Sequence, residues 1–152
     1  MINKVYEYIK SNKLIENRDR IIVGLSGGAD SVCLLHILYN LYKDTDVKLI
    51  AVHVHHGIRG DDADKDLAYV KKICDNMGIK LETYYYDVIQ IAKDEGLSEE
   101  EAGRKIRYKS FLKASKENKC NKVAIAHNKN DNAETFLFNL FRGSGIKGLT
   151  GI

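Results

Sequence analysis

Apolar positions along the chain switch between two periods. Ile2, Val5, Tyr6 and Ile9 recur at helical spacing and predict a short amphipathic opening helix. Ile21-Ile22-Val23-Gly24-Leu25 is apolar without interruption, as a strand buried on both faces requires. Ser26-Gly27-Gly28-Ala29-Asp30-Ser31 follows at once, and Val32, Leu35, Leu38 and Tyr42 then form a helical stripe. Val47 to Val54 reads as a second strand. Asp61 to Asp64 open a helix whose Leu67, Val70, Cys74 and Met77 share one face. The early acids suit the positive end of its dipole, and Gly78 is placed to stop it. Leu81 to Tyr86 predicts a third strand. Ser98 and Glu101 have the spacing of a capping box, opening a helix that runs towards Lys116. Val123 to Ala126 predicts a fourth strand, and Asn130 to Phe141 a further helix ended by Gly143.

Four strands alternating with helices predict an α/β fold: a doubly wound, Rossmann-like parallel sheet with helices on both faces. Ligands bind such sheets at the carboxyl ends of the strands, beside the switch in strand order. That rule places 26–31 and 127–134 on one edge. Proline is absent and no stretch reads as a linker, repeat or low-complexity tract, so the 152 residues predict one domain over 1–152. A content of 44% hydrophobic and 30% charged residues excludes a disordered or fibrous chain. No apolar run approaches the roughly 18–20 residues of a membrane span. The opening MINKVYEYIK has no apolar region with a small-residue cleavage site. Cys33, Cys74 and Cys120 are far apart with no C-x-x-C, which excludes a disulfide framework or zinc ribbon and fits a reducing cytoplasm. A net charge of +3 permits a nucleic-acid partner without demanding one.

The chemistry lies in Ser26 to Ser31. Glycines between a buried strand and a helix let the backbone approach a ligand, and the helix dipole with its free N–H groups favours phosphate. Ser26 and Ser31 add hydroxyl hydrogen bonds. Asp30 repels phosphate unless a cation or amine lies between, which points to a magnesium-bridged nucleotide or a cationic co-substrate. The loop lacks the lysine of G-x-x-x-x-G-K-S/T, and its adjacent Gly27 and Gly28 do not fit G-x-G-x-x-G.

Val23-Gly24-Leu25-Ser26-Gly27-Gly28-Ala29-Asp30-Ser31 resembles the S-G-G-x-D-S loop of the PP-loop ATP pyrophosphatase superfamily. Three further segments are similar to the tRNA(Ile)-lysidine synthetase family. These are Val54-His55-His56-Gly57-Ile58-Arg59-Gly60, Glu101-Ala102-Gly103-Arg104-Lys105-Ile106-Arg107-Tyr108, and His127-Asn128-Lys129-Asn130-Asp131-Asn132-Ala133-Glu134-Thr135, the last followed by Leu140 to Leu149. The match covers about 21–152 in the family's order.

The resemblance implies ligation of free L-lysine to the wobble cytidine of an isoleucine tRNA. The base is adenylated by ATP, and pyrophosphate and then AMP are released. It further implies that Ser26, Gly27, Gly28, Ala29, Asp30 and Ser31 hold the ATP phosphates, with His53, His55 and His127 near the nucleotide. Asp131 and Glu134 would meet the lysine amine, Arg107 its carboxylate, and Asp30 the cation or amine near the reacting centre. The residues argue the same way: Asp131 and Glu134, three apart near a helix start, share a face and can hold an ammonium group. Arginine grips a planar carboxylate through two parallel hydrogen bonds. Asn130 stands where the family usually has an aspartate, and it serves as well as a helix cap. Family members carry a C-terminal tRNA-gripping portion, so the chain reads as the catalytic domain of a longer protein, with a homodimer left open.

Two other functions fit the loop. A tRNA cytidine thiolase of the same superfamily uses paired cysteines, and a non-catalytic ATP-binding module needs the loop alone. Elsewhere His36 reads as a packed core histidine, and Tyr84-Tyr85-Tyr86 as part of a strand. His53 and His55 share a strand face without a third ligand at zinc spacing, so no metal ligands are assigned. Lys113, Lys116, Lys119 and Lys122 read as a solvated face, and so do the acids Asp61 to Asp66 and Glu99 to Glu101.

Overall fold

Because Ile21, Ile22 and Val23 are apolar on alternate sides, the strand they form needs a cover on each face. The computed structural model describes the backbone of residues 2–57, 60–129 and 132–139 and the side chains of 6–57 and 62–126. Its elements run α1 (Ile2–Ser11), β1 (Arg20–Gly24), α2 (Ala29–Tyr42), β2 (Lys48–His55), α3 (Gly60–Met77), β3 (Lys80–Tyr85), α4 (Val88–Glu95), α5 (Glu99–Glu117), β4 (Lys122–Lys129) and β5 (Asn132–Asn139). The sheet order is β3-β2-β1-β4-β5. The first four strands are parallel, and β5 pairs antiparallel with β4. Strand order reverses at β1, which therefore has neighbours on both edges and helices on both faces.

Each face has its own core. Ile21, Val23 and Leu25 pack with Ala51, Leu34, Leu35 and Leu38 of α2, and Leu67, Val70 and Cys74 of α3. On the other face, Ile22, Ile50 and Val52 meet Tyr108, Phe111 and Ala114 of α5. Val54 completes that face with Val88 and Ala92 of α4 and Ile106 of α5. Gly24 leaves room for the Phe111 ring of α5: a Cβ there would lie 2.8 Å from the Phe111 Cζ, so a larger residue would have to displace that ring. Ser98 caps α5 as its spacing predicts, its Oγ accepting from the Glu101 N–H at 3.1 Å. Among the described residues, no helix is long and apolar enough to cross a membrane.

Four features differ from the sequence expectations. The segment expected as a helix over 130–141 contains β5 over Asn132–Asn139. Thr135-Phe136-Leu137-Phe138 is a β-branched and aromatic run, and a strand there covers the otherwise open edge of β4. A short apolar run does not by itself distinguish the two states. Asn130, with its expected helix-cap role, and Gly143 lie outside the described residues. Second, α4 was not anticipated, although Asp87 caps it through the Gln90 N–H and Gly96 closes it at φ +66°. Third, His36 is exposed on α2 rather than packed in the core.

Finally, Lys122 belongs to no solvated face. Its ammonium meets the Asp19 carboxylate at 2.6 Å, with side chains only 11% and 8% exposed, and it also donates to the Leu14 carbonyl. Asp19 further accepts from the Glu16 N–H at 2.8 Å and the Asn121 amide at 2.8 Å. Burial alone pushes the Asp19 carboxyl up, but the Glu16, Lys122 and Asn121 bonds outweigh it and hold its pKa below the usual value. We expect Lys122→Met to cost about 3–5 kcal/mol in urea unfolding, because it strands a buried carboxylate. Asp19→Asn/Lys122→Met should recover most of that loss. The native pair adds stability above the unfolded carboxyl pKa, near 3.9, that is lost as pH falls through the lower folded value. An equal cost in single and double variants would refute the pairing.

Candidate functional site

Where β1 ends, the chain must turn sharply to start α2, and four hydrogen bonds within Ser26–Ser31 fix that turn. The Ser26 N–H donates to the Ser31 Oγ at 3.1 Å, and the Gly28 N–H donates to the Ser26 Oγ at 3.2 Å. The Ser31 hydroxyl donates to the Gly28 carbonyl at 3.1 Å. Its proton being used there, the 3.1 Å contact between the two hydroxyls has Ser26 as donor. Gly27 sits at φ +97°, and a Cβ on it would lie 3.3 Å from the Asp66 Cβ. The turn thus needs glycine for its backbone and for the closeness of α3. Past it, the first N–H groups of α2 have no intrahelical acceptor and carry the positive end of its dipole.

The turn opens into a cleft of about 300 Å³ at the carboxyl ends of β1, β2 and β4. Ser26 and Ser31 border it, with His53, His55 and His56 from β2 and the segment after it, Asp66 from α3, and Arg107 from α5. Tyr108 and Phe111 line its wall. This volume is at the small end of ligand sites.

The two strand histidines have assigned tautomers. His53 Nδ1 lies 2.7 Å from the Leu25 carbonyl, which can only accept, so Nδ1 carries the proton. Burial lowers the His53 pKa, despite that bond and Asp66, so the ring is neutral at pH 7 and Nε2 is an acceptor. The Gly57 N–H donates to His55 Nδ1 at 3.2 Å, so His55 Nε2 holds the proton and donates to Asp64 at 2.8 Å. His55 thereby ties the end of β2 to the first turns of α3. Burial likewise lowers the His56 pKa, with Arg107 adding to the effect. The Arg107 guanidinium is half-buried, its pKa pulled down mainly by burial and further by Arg104. Among the described residues Arg107 has no acidic partner.

The structure therefore brings Ser26, Ser31, His53, His55 and Arg107 to one cleft. Gly27, Gly28, Ala29 and Asp30 form the adjoining turn and helix start. His127 and Glu134 are register partners across β4 and β5, but their side chains lie outside the described residues, as does Asp131 altogether. With a strand over 132–139, the helical spacing argument that put Asp131 and Glu134 on one face no longer applies.

Sequence reasoning missed Asp64 and Asp66, read as a solvated acidic face. Both are solvent-exposed as that reading expects, but Asp66 also borders the cleft and Asp64 pairs with His55, which no local pattern signals. Tyr108 and Phe111 were also missed, because nothing local distinguishes a cleft wall from ordinary core. Among the described residues, no cluster of three potential metal-ligating side chains occurs.

Residues 2–152 match the model of the PP-loop domain family. The chain is 47% identical over 152 residues to the tRNA(Ile)-lysidine synthase of Caldanaerobacter subterraneus subsp. tengcongensis, covering all of this chain and 32% of that protein. Identity to the enzyme of the same name from Clostridioides difficile is also 47% over 152 residues, covering all of this chain and 33% of that protein. The Porphyromonas gingivalis protein is 39% identical over 153 residues, again covering all of this chain and 33% of that protein. The chain thus spans about a third of the length of the curated relatives it matches. Among solved structures, the U34-tRNA thiolase NcsA from Methanococcus maripaludis, with its 4Fe–4S cluster, superposes with a TM-score of 0.68 at 27% identity. That match covers 86% of this chain and 45% of the other.

The geometry predicts that Ser31→Ala loosens the turn before it unfolds the domain. We expect amide exchange at Ser26 to accelerate about tenfold or more, since its N–H loses the Ser31 hydroxyl as acceptor. Exchange at wild-type rates would show that the hydroxyl lock is not what holds the turn.

Proposed function

Because the chain belongs to the PP-loop domain family over residues 2–152, we propose that it is the ATP-binding, catalytic part of a ligase for lysine and an isoleucine tRNA. The base carbonyl oxygen of the wobble cytidine attacks the α-phosphate of ATP and pyrophosphate leaves. The lysine amine then displaces AMP from the activated carbon, forming the new carbon–nitrogen bond. The observation carrying this reading is the cleft itself, whose lining joins Ser26 and Ser31 of the glycine turn to Arg107, which has no ion-pair partner among the described residues.

In this reading the α2 N-terminus and the Ser26 and Ser31 hydroxyls bind the departing pyrophosphate, a charge-matched role for donors fixed before the reaction. His53 accepts a hydrogen bond from the nucleotide through Nε2, and His55 and His127 stand by it. Arg107 takes the lysine carboxylate, its burial strengthening the bidentate pair. Asp131 and Glu134 receive the lysine ammonium and take up its proton, while Asp30 orients the amine. Asp30 at the helix start and Asp66 beside Gly27 are hard oxygen donors next to the phosphate turn, and they fit magnesium held partly by protein and partly by phosphate. When bound, such an ion neutralises charge on the leaving pyrophosphate. A cytoplasmic setting accords with a tRNA substrate and three free thiols.

The thiolase alternative is the weaker one. Cys74 and Cys120 lie in cores on opposite faces of the sheet, and burial pushes both thiols up to about 11, away from the thiolate that sulfur transfer uses.

Gly27→Val and Ser26→Ala should each weaken ATP binding, the glycine variant by at least tenfold, measured by calorimetry. Unchanged affinity in both would remove the turn from the nucleotide site. Asp131→Ala or Glu134→Ala should abolish lysine incorporation into a tRNA(Ile) transcript while leaving ATP affinity within about twofold. Wild-type incorporation in either would remove the amine-binding assignment. AMP release should require ATP, tRNA and lysine together, whereas a non-catalytic ATP module would bind ATP without turnover.

A further inference from the structure

Helix α5 enters the fold at the carboxyl edge of the sheet and leaves at the amino edge. Its C-cap Asn118 there accepts from the Arg20 Nε at 3.0 Å, beside the start of β1. Residues earlier in α5 therefore lie progressively nearer the mouth of the cleft. Phe111 packs against Gly24 at the base, and Tyr108 and Arg107 line the wall. Arg104 is one helical turn further out, on the same face as both, by the i, i+3, i+4 rule.

Among the described residues Arg104 makes no ion pair. Its guanidinium carbon lies 5.6 Å from the centre of the Tyr108 ring, a cation–π contact that holds the group in place. Its buried Nη2 has no hydrogen-bond partner among the described residues. Among the described residues, neither Arg104 nor Arg107 pairs with a carboxylate, although Lys105 on the same helix does, with Glu95 at 2.9 Å. Burial lowers the Arg107 pKa, and the nearby Arg104 guanidinium adds to the effect. A single amino-acid carboxylate is fully gripped by one guanidinium. Arg104 is not needed for that grip and stands one helical turn beyond Arg107, outside the residues that line the cleft.

We propose that Arg104, stacked on Tyr108, binds a backbone phosphate of the RNA strand whose base enters the cleft. The inference rests on the RNA-modifying reading above. An RNA strand entering the mouth brings phosphates on either side of its target base, and contacts to them set register without reading sequence. Arginine stacked on an aromatic ring suits this role because its remaining N–H groups stay aimed and charged.

The test uses the full protein, an RNA stem-loop carrying the tRNA(Ile) anticodon, and the variants Arg104→Gln and Arg104→Lys. For Arg104→Gln we expect about tenfold weaker RNA binding at low salt, together with a slope of log affinity against log salt shallower by about 0.7–1. Arg104→Lys should keep the wild-type slope, and ATP affinity and lysine KM should stay within about twofold in both variants. Wild-type RNA affinity and slope in Arg104→Gln would overturn the proposal. A raised lysine KM with an unchanged slope would overturn it too, assigning Arg104 to the amino acid. Equal loss of ATP and RNA binding in both variants would mark Arg104 as structural and overturn it likewise. If the protein binds the stem-loop in an Arg104-dependent way but transfers no lysine, the phosphate contact stands and the ligase reading fails.

Discussion

The buried hydroxyl of Ser31 holds the turn that joins the central strand to α2, accepting from the Ser26 N–H and donating to the Gly28 carbonyl. Everything at the cleft depends on that turn being pre-formed. A loop that had to organise around each phosphate would lose binding energy to ordering, whereas here the amides at the start of α2 are aimed beforehand. Gly27 makes the turn sterically allowed, and the nearness of Asp66 means that α3 also constrains it. The hydroxyl lock couples three segments: the end of β1, the start of α2 and, through Gly27, the wall formed by α3.

A second constraint is the burial of β1 on both faces. A strand covered on both sides places its next exposed backbone groups at its end, and the reversal of strand order at β1 leaves a gap there. The same burial explains Gly24, where Phe111 of α5 presses against the strand. It also explains why the amino edge of the sheet carries the Asp19–Lys122 pair. Polar groups collect where the strands begin and end, and at the beginning they neutralise one another. At the other end His55 pairs with Asp64, but Arg107 has no carboxylate partner among the described residues. Asp30 and Asp66 stand beside the glycine turn while Arg107 lines the same cleft, a division suited to a bound ligand carrying both signs of charge.

Much of the fold was legible because one-dimensional periodicity reports burial directly. The doubly apolar run at 21–25 marked the central strand, and the Leu67–Val70–Cys74 stripe marked the buried face of α3. Short ambiguous runs were not legible. Phe136-Leu137-Phe138 suits a helix face or a strand equally, and a partner edge on β4 decides between them. His36 among leucines reads as core, yet one helical step turns it to solvent. Lys122 reads as surface because lysine usually is; only the arrival of Asp19, more than a hundred residues earlier in the chain, makes its burial tolerable.

The sequence by itself determined the glycine turn, the strand it ends and the helix it begins, because all three are contiguous and governed by local backbone rules. Tertiary structure alone decided which distant groups face that turn. Asp66, His53 and Arg107 line the same cleft, because strand order and helix direction bring segments separated by dozens of residues to one edge of the sheet. That convergence is a three-dimensional property: it arises from closing a core on both faces of β1, and no local pattern encodes which side chains then meet.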